Sequence, residues 1–413
     1  MKKVILFVSI ILVCTNIFAQ LKPAAVPAKK IIEKQQISNS ETPIIEKKSS
    51  ITGSIEGFGN DTVFVRKVDA SNPNISQTDT IMARNGSFSV SFTHSETFIC
   101  MIHTNKCLVK RQNGRLYLPE TKFAKVFIIP GSNLVLSGKL NEKSLAFITK
   151  GDELNETFSN RRSSSLNNNI ELVKNMLRID SMETVGVDES TINKFGEEFN
   201  KKQVETLALE REFIKSNPTK DLSAVYITNL PLDSIPAYIE VLDEKVKNGI
   251  FSKLLKNLTD RYESSRKIAE AQKKVVEGTI APEFELKSLN GNIVKLSDFK
   301  DKYLVIDFWG SWCYWCIKGI PQMKEYYSKY KDKVEFIGIA CRDKDEAWRA
   351  AIKKDNLDWV QLFNLTGSDA PVLYGVTGYP TKFILDKDHK VVFKVIGEDP
   401  IFYKKLDELL GKE

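Results

Sequence analysis

Residues 303–316 read Tyr-Leu-Val-Ile-Asp-Phe-Trp-Gly-Ser-Trp-Cys-Tyr-Trp-Cys. From Tyr303 to Trp309 the run is apolar except for Asp307, and Gly310 ends it, as expected of a short strand buried on both faces. The stretch after Cys313 predicts a helix from about Tyr314 to Tyr330. Two cysteines three positions apart at the start of a helix lie on one face, a single turn from each other. The unpaired N–H groups and the dipole at that helix end favour an anion, so the Cys313 thiolate is stabilised. This spacing suits two-step exchange. Cys313 attacks a substrate disulfide, and Cys316 resolves the mixed disulfide that forms.

Outward from this motif, strands are expected at Val334–Ala340, Lys382–Asp386 and Lys390–Ile396, with helices at Asp345–Lys354 and after Pro400. Alternating β and α elements around an apolar strand predict an α/β domain over residues 276–413, a mixed sheet with helices on both faces. Other readings of the cysteine pair fit less well. A structural zinc site needs four ligands, yet the chain has three histidines, His94, His103 and His389, and no second CxxC. A purely structural bridge across two residues would constrain the unfolded chain little. A cysteine hydrolase would need a histidine base, and His389 falls in the charged turn Asp386–Lys390. Cys341, at the end of a strand, reads as a buried apolar residue.

The fold class expected for the whole chain is multidomain. Residues 1–19 read as a secretory signal peptide: Lys2 and Lys3, an apolar stretch from Val4 to Val13, then Ala19 as the cleavage site. Val13 before Cys14 argues against lipid attachment there. Export places the protein in the periplasm or cell envelope. Residues 20–50 read as a flexible tether. Short alternating runs cut by turns over residues 51–150 predict an antiparallel β sandwich or open barrel, and helical spacing over residues 151–275 predicts a helical connector packing on its neighbours. Cys100 and Cys107 flank an expected hairpin turn around His103 and Thr104, and their spacing leaves open whether they are bridged. With 60 Lys and Arg against 53 Asp and Glu, a net charge of +7 without long runs, nucleic acid is not an expected partner.

The set Val305-Ile306-Asp307-Phe308-Trp309, Trp312-Cys313, Cys316, Pro321 and Gly378-Tyr379-Pro380-Thr381 resembles thioredoxin. Ala281-Pro282-Glu283-Phe284 and Leu296-Ser297-Asp298-Phe299 are similar to the exported TlpA/ResA-type branch. The resemblance implies that Asp307 is a buried carboxylate accepting the Cys316 proton and that the Tyr379–Pro380 bond is cis. It also implies that Trp312, Tyr314, Trp315, Tyr379 and Pro380 contact substrate, with Pro321 kinking the helix. Two positions depart from the family. Tyr314-Trp315 replaces a His-containing pair, which argues for a reducing or isomerising role rather than a potent oxidant. Gly319 stands where relatives active in cytochrome maturation often carry Glu, which argues against that job. Gly53, Asn85-Gly86-Ser87-Phe88, Pro130-Gly131 and Gly151-Asp152-Glu153-Leu154-Asn155 resemble an uncharacterised β domain found ahead of such domains.

The expected function is an exported thiol-disulfide oxidoreductase that reduces protein disulfides through Cys313 and Cys316. It takes electrons from a membrane thiol carrier and needs no metal or cofactor. The alternatives are a surface binding protein whose thioredoxin-like part is a docking module, and a disulfide oxidase or isomerase. A peroxidase is disfavoured by Gly310, where a Thr would be needed.

Overall fold

The computed structural model describes residues 46–72, 75–364 and 369–411. It divides into two compact units, residues 1–260 and 261–413. The signal peptide, Cys14 and residues 20–45 of the expected tether lie outside the described residues.

In the first unit, strands β1 (Lys47–Glu56), β2 (Thr62–Asp69), β3 (Ser76–Met82), β4 (Ser87–His94), β5 (Phe98–His103), β6 (Val109–Lys110), β7 (Leu116–Tyr117), β8 (Ala124–Ile128), β9 (Asn133–Leu140) and β10 (Leu145–Lys150) follow in order. They form two four-stranded sheets, ordered β10-β9-β1-β4 and β3-β2-β5-β8, with β6 and β7 as a small hairpin. Inward residues of both sheets, among them Ile51, Ile55, Val65, Ile102, Phe127 and Leu136, share one core. The tether assignment is corrected at its end, because β1 begins at Lys47. Ser49 in that strand is buried and donates to the Ile129 carbonyl at 3.0 Å, which ties the segment into the sheet.

The helices follow the strands and pack on them. α1 (Glu153–Val185), α2 (Glu189–Ser216), α3 (Asp221–Ile227), α4 (Ile235–Val241), α5 (Glu244–Lys247) and α6 (Ser252–Lys274) had been expected as a connector. Their residues Leu154, Phe158, Ile214, Leu222, Phe251 and Leu255 extend the core of the sheets. The start of α1 explains the Gly151–Asn155 motif. Gly151 has φ +126°, and a Cβ there would stand 2.3 Å from the Asn133 carbonyl oxygen. Asp152 caps the helix by accepting from the Asn155 N–H at 2.8 Å. One face of α1, at spacing i, i+4 and i+7, then serves the strand edges. Asn155 accepts from the Phe127 N–H and donates to its carbonyl, both at 2.8 Å. Ser159 Oγ accepts from the Thr149 N–H at 3.0 Å. Arg162 donates to the carbonyls of Leu145, Glu120, Thr121 and Phe123.

In the second unit, β11 (Glu285–Ser288), β12 (Ile293–Lys295), β13 (Tyr303–Trp309), β14 (Val334–Ala340), β15 (Val360–Phe363), β16 (Thr381–Leu385) and β17 (Val391–Ile396) form a mixed sheet ordered β12-β11-β15-β14-β13-β16-β17. Helices α7 (Tyr314–Tyr330), α8 (Asp345–Asp355), α9 (Ala370–Leu373) and α10 (Pro400–Leu410) accompany it. β13 is central, parallel to β14 and antiparallel to β16. Its side chains alternate between two cores. Val305 and Trp309 pack with α7 and α10 residues, while Leu304, Ile306 and Phe308 pack on the opposite face. Asp307 has the parity of Val305 and Trp309, so it faces α7.

Asn155→Ala leaves two buried backbone groups of Phe127 without partners, at about 1–3 kcal/mol each. The expected outcome is faster amide exchange in β8 and a lower unfolding midpoint for the first unit, with the second unit unchanged. An unaltered midpoint would show that this edge contact carries no stability.

Candidate functional site

The end of β13 delivers the cysteines. Cys313 is the N-cap of α7, with extended backbone (φ −88°, ψ 107°), and its sulfur accepts from the Cys316 N–H at 3.2 Å. The two cysteines are joined as a disulfide with Cα atoms 5.3 Å apart. A sulfur held at the unpaired N–H groups of a helix start is where a thiolate gains most from the helix. The connecting residues are pinned. Ser311 donates to Asp343 from its N–H at 2.6 Å and from its hydroxyl at 2.8 Å. The Trp312 indole donates to the Cys341 carbonyl at 3.0 Å, and the Cys341 N–H to the Trp309 carbonyl at 2.8 Å. Pro321 lies inside α7.

Both cysteines are buried, at 6% and 5% exposure, whereas Trp312, Tyr314 and Trp315 beside them are 52%, 70% and 54% exposed. Tyr314 and Trp315 meet edge to face, Lys318 lies over the Trp315 ring, and Trp312 meets Tyr379 edge to face at 5.4 Å. The Tyr379–Pro380 bond is cis. The Pro380 carbonyl accepts from the Gly397 N–H at 2.7 Å, so the backbone edge expected for substrate is not this carbonyl. Trp312, Tyr314 and Trp315 thus form an exposed aromatic rim above the buried sulfur pair and the Asp307 carboxylate, whereas Tyr379 is half-buried and Pro380 is buried.

Asp307 and Cys316 line one small cavity of about 10 Å³ together with Trp309, Gly319, Ile320, Met323 and Lys382. That volume is at the lower limit for one water, so a proton passing between them travels directly or through a single bridge. Asp307 stands opposite Lys382 of β16 in the sheet register. Its Oδ1 is buried without a hydrogen bond, and the Lys382 ammonium lies 3.6 Å away. Burial pushes the Asp307 carboxyl above the usual carboxylate range, Lys382 pulls it down, and Glu398 pushes it up again. Lys382 is itself 2% exposed and pairs with Glu398 at 2.6 Å. Glu398 also accepts from the Tyr403 hydroxyl at 2.7 Å.

Lys382, Glu398, Tyr403 and the Ser311–Asp343 pair escaped the sequence reading. A lysine inside the otherwise apolar strand Thr381–Leu385 was a signal for the first. Nothing local marked Glu398, which precedes α10 in a turn. Among the described residues the other cysteines, Cys100, Cys107 and Cys341, are free and buried. The hairpin expected around His103 and Thr104 is absent, because β5 runs into a one-turn helix at Asn105–Cys107 and pairs with β2 and β8 instead. Cys100 and Cys107 are accordingly unbridged, and burial pushes both thiols up. Burial also pushes the Cys341 thiol up, to about 12. His389 sits in its turn, its ring at the Phe299 carbonyl. Among the described residues no group of three or more His, Cys, Asp or Glu is gathered for a metal ion.

Residues 278–394 match the AhpC/TSA family. The thiol-disulfide oxidoreductase ResA of Bacillus thuringiensis subsp. konkukian is 37% identical over 142 residues, 34% of this chain and 80% of the relative. The thioredoxin-like protein YneN of Bacillus subtilis is 32% identical over 139 residues, 33% of this chain and 79% of its own. Among solved structures, the thioredoxin domain of a thiol-disulfide oxidoreductase from Bacteroides vulgatus is 30% identical. It covers 33% of this chain and 98% of that one, with a TM-score of 0.31. With a CxxC pair at the first turn of a helix and a relative matched over most of its length, the chain belongs, through its C-terminal third, to the ResA family of thiol-disulfide oxidoreductases.

Proposed function

We propose that the protein is an exported thiol-disulfide oxidoreductase that reduces disulfides in other proteins. The observation that carries this reading is the Cys313 sulfur held on the Cys316 N–H at the start of α7, with the Asp307 carboxylate, its Oδ1 buried, lining the same small cavity as Cys316. In the reduced enzyme the Cys313 thiolate attacks one sulfur of a substrate disulfide. A mixed disulfide forms and the other substrate sulfur leaves as a thiolate. Cys316 passes its proton to Asp307 and attacks the Cys313 sulfur. The second substrate thiolate is released, and the pair ends as the disulfide. Two electrons have moved from the enzyme dithiol to the substrate, and a thiol carrier at the membrane returns them.

The exposed rim of Trp312, Tyr314 and Trp315 offers apolar surface to an unfolded or extended segment carrying the disulfide. Tyr314 and Trp315 between the cysteines, where no His⁺ is present to stabilise the thiolate strongly, support a reducing or isomerising direction over a strongly oxidising one. A peroxidase is disfavoured on space as well as sequence. A Cβ at Gly310 would meet the Trp312 indole at 2.5 Å, which leaves no room for a threonine side chain without moving that ring. Export rests on the N-terminal sequence. Among the described residues no helix is long and apolar enough to cross a membrane.

Insulin reduction with dithiothreitol tests the activity. Cys313→Ser is expected to fall to the uncatalysed rate, and Cys316→Ser to accumulate a mixed disulfide. A Cys313→Ser protein as fast as the unmodified one would remove the enzyme reading. The reduction potential tests the direction: about −270 mV supports a reductase, and about −120 mV an oxidase.

Asp307→Asn carries a second prediction. A carboxyl whose protonation is favoured by folding contributes stability that is present below the ordinary range near pH 4 and is lost as pH rises through the elevated value. The oxidised Asp307→Asn protein is therefore expected to match the unmodified protein at pH 4 and to exceed it at pH 8, by about 1–3 kcal/mol for a buried unpaired oxygen. Resolution of the mixed disulfide should slow on the order of a hundredfold. Equal stability at both pH values would show that Asp307 is not held at a cost.

A further inference from the structure

Beneath Cys316, helix α7 is cut away at one position and a carboxylate from elsewhere fills the gap. A Cβ on Gly319 would stand 2.3 Å from Glu398 Oε2, 2.4 Å from Cδ and 2.8 Å from Oε1. Gly319 is one turn beyond Cys316, on the cavity that Cys316, Asp307 and Lys382 share. Glu398 enters from the turn between β17 and α10, its side chain 14% exposed. There it takes the Lys382 ammonium at 2.6 Å and the Tyr403 hydroxyl at 2.7 Å. Asp307 is left with the same ammonium at 3.6 Å and no hydrogen bond to its buried Oδ1.

Two carboxylates therefore compete for one buried cation, and the geometry awards it to Glu398. The groups facing Asp307 are few. They are Lys382 from β16, Glu398 from the turn, Cys316 from α7, Tyr403 from α10 and Cys341 after β14. Burial pushes the Tyr403 hydroxyl and the Cys341 thiol up, so both stay neutral near pH 7. Among the described residues the charge around Asp307 is thus set by Lys382 and Glu398.

We propose that Glu398 is a positioning residue for the resolving step: seated in the gap at Gly319, it draws Lys382 away from Asp307 and keeps that carboxylate basic enough to take the Cys316 proton. Without Glu398, Lys382 would pair with Asp307, stabilise its ionised form and weaken it as a base. The inference rests on the exchange reaction proposed above, in which the Cys316 proton goes to Asp307. Glu398 acts on Asp307 by holding Lys382 and by its own negative charge, which also raises that carboxyl.

The test uses the full-length reduced protein and an aromatic disulfide, 5,5′-dithiobis(2-nitrobenzoate), in stopped flow. The first coloured thiolate leaves when Cys313 attacks, and the second leaves when Cys316 resolves the mixed disulfide, so the two steps separate. Glu398→Gln keeps the side-chain shape. It is expected to move the acidic limb of the second phase down by about one pH unit and to lower its plateau, with the first phase unchanged. Gly319→Ala, which expels the carboxylate without touching its charge, should move the limb the same way. Lys382→Met should move it up. In an Asp307→Asn background the limb should vanish, and Glu398→Gln should then change nothing. An unmoved limb in both Glu398→Gln and Gly319→Ala, beside a limb that Asp307→Asn removes, would overturn the inference and leave the exchange reaction standing. A limb that survives Asp307→Asn would instead overturn the proton acceptor on which the inference rests. Equal slowing by Glu398→Gln with and without Asp307 would reduce Glu398 to a packing role and overturn the inference as well.

Discussion

The hydrogen bond from the Cys316 N–H to the Cys313 sulfur is the contact on which the site depends. It requires that α7 begin at Cys313, and this in turn requires a strand that ends in a fixed place. β13 is central in its sheet and bonded on both sides, so its end does not drift. Ser311 and Trp312 are then tied to Asp343 and to the Cys341 carbonyl at the end of the neighbouring strand. The sulfur thus meets the helix start because three backbone segments agree on one point. Neither the motif nor the helix would achieve this alone.

The alternation of β13 does the rest. One face of the strand packs into a hydrophobic cluster, while Asp307 on the other points toward α7 beside Val305 and Trp309. Burying an ionisable group that lacks a close partner costs stability, and replacing such groups with apolar ones is often stabilising. The cluster of Asp307, Lys382 and Glu398 is therefore a poor device for holding the fold together. Its position against Cys316 and its imbalance of two carboxylates to one ammonium make sense as a means of moving a proton.

Strand β13, helix α7 and strand β14 were legible because each is a long, uniform signal: an unbroken apolar run, or a helical period that opens on a polar break. Strand β15 was not read, since Val360–Phe363 is short and follows Trp359 without a turn between them. The hairpin of β11 and β12 likewise offers few residues to a pattern. For Cys313 and Cys316 the chemistry is local in sequence, and both were found. Asp307 was legible as a lone acid in an apolar strand. Lys382 was marked only as a lysine in a mostly apolar strand and Glu398 not at all, because their roles lie in cross-strand register and in the missing side chain of Gly319, which brings residues 319 and 398 together. Spacing along the chain carries no trace of either.

The same limit explains the helical segment. Its helical spacing, with charges on the other faces, marked a connector packing on its neighbours but not which residues do the packing. In the structure, Asn155, Ser159 and Arg162 stand on one face of α1 and satisfy backbone groups of β8, β10 and the turn before β8. An open strand edge is a hazard, since its unpaired N–H and carbonyl groups can recruit another chain. A polar residue that serves such an edge looks in sequence like any solvated helix position, yet it is as buried as the core. Because the helices supply both apolar contacts and these edge partners, the β sheets and the helices after them form one folding body. A boundary drawn near residue 151 would leave two strand edges open on one side and an unpaired polar helix face on the other.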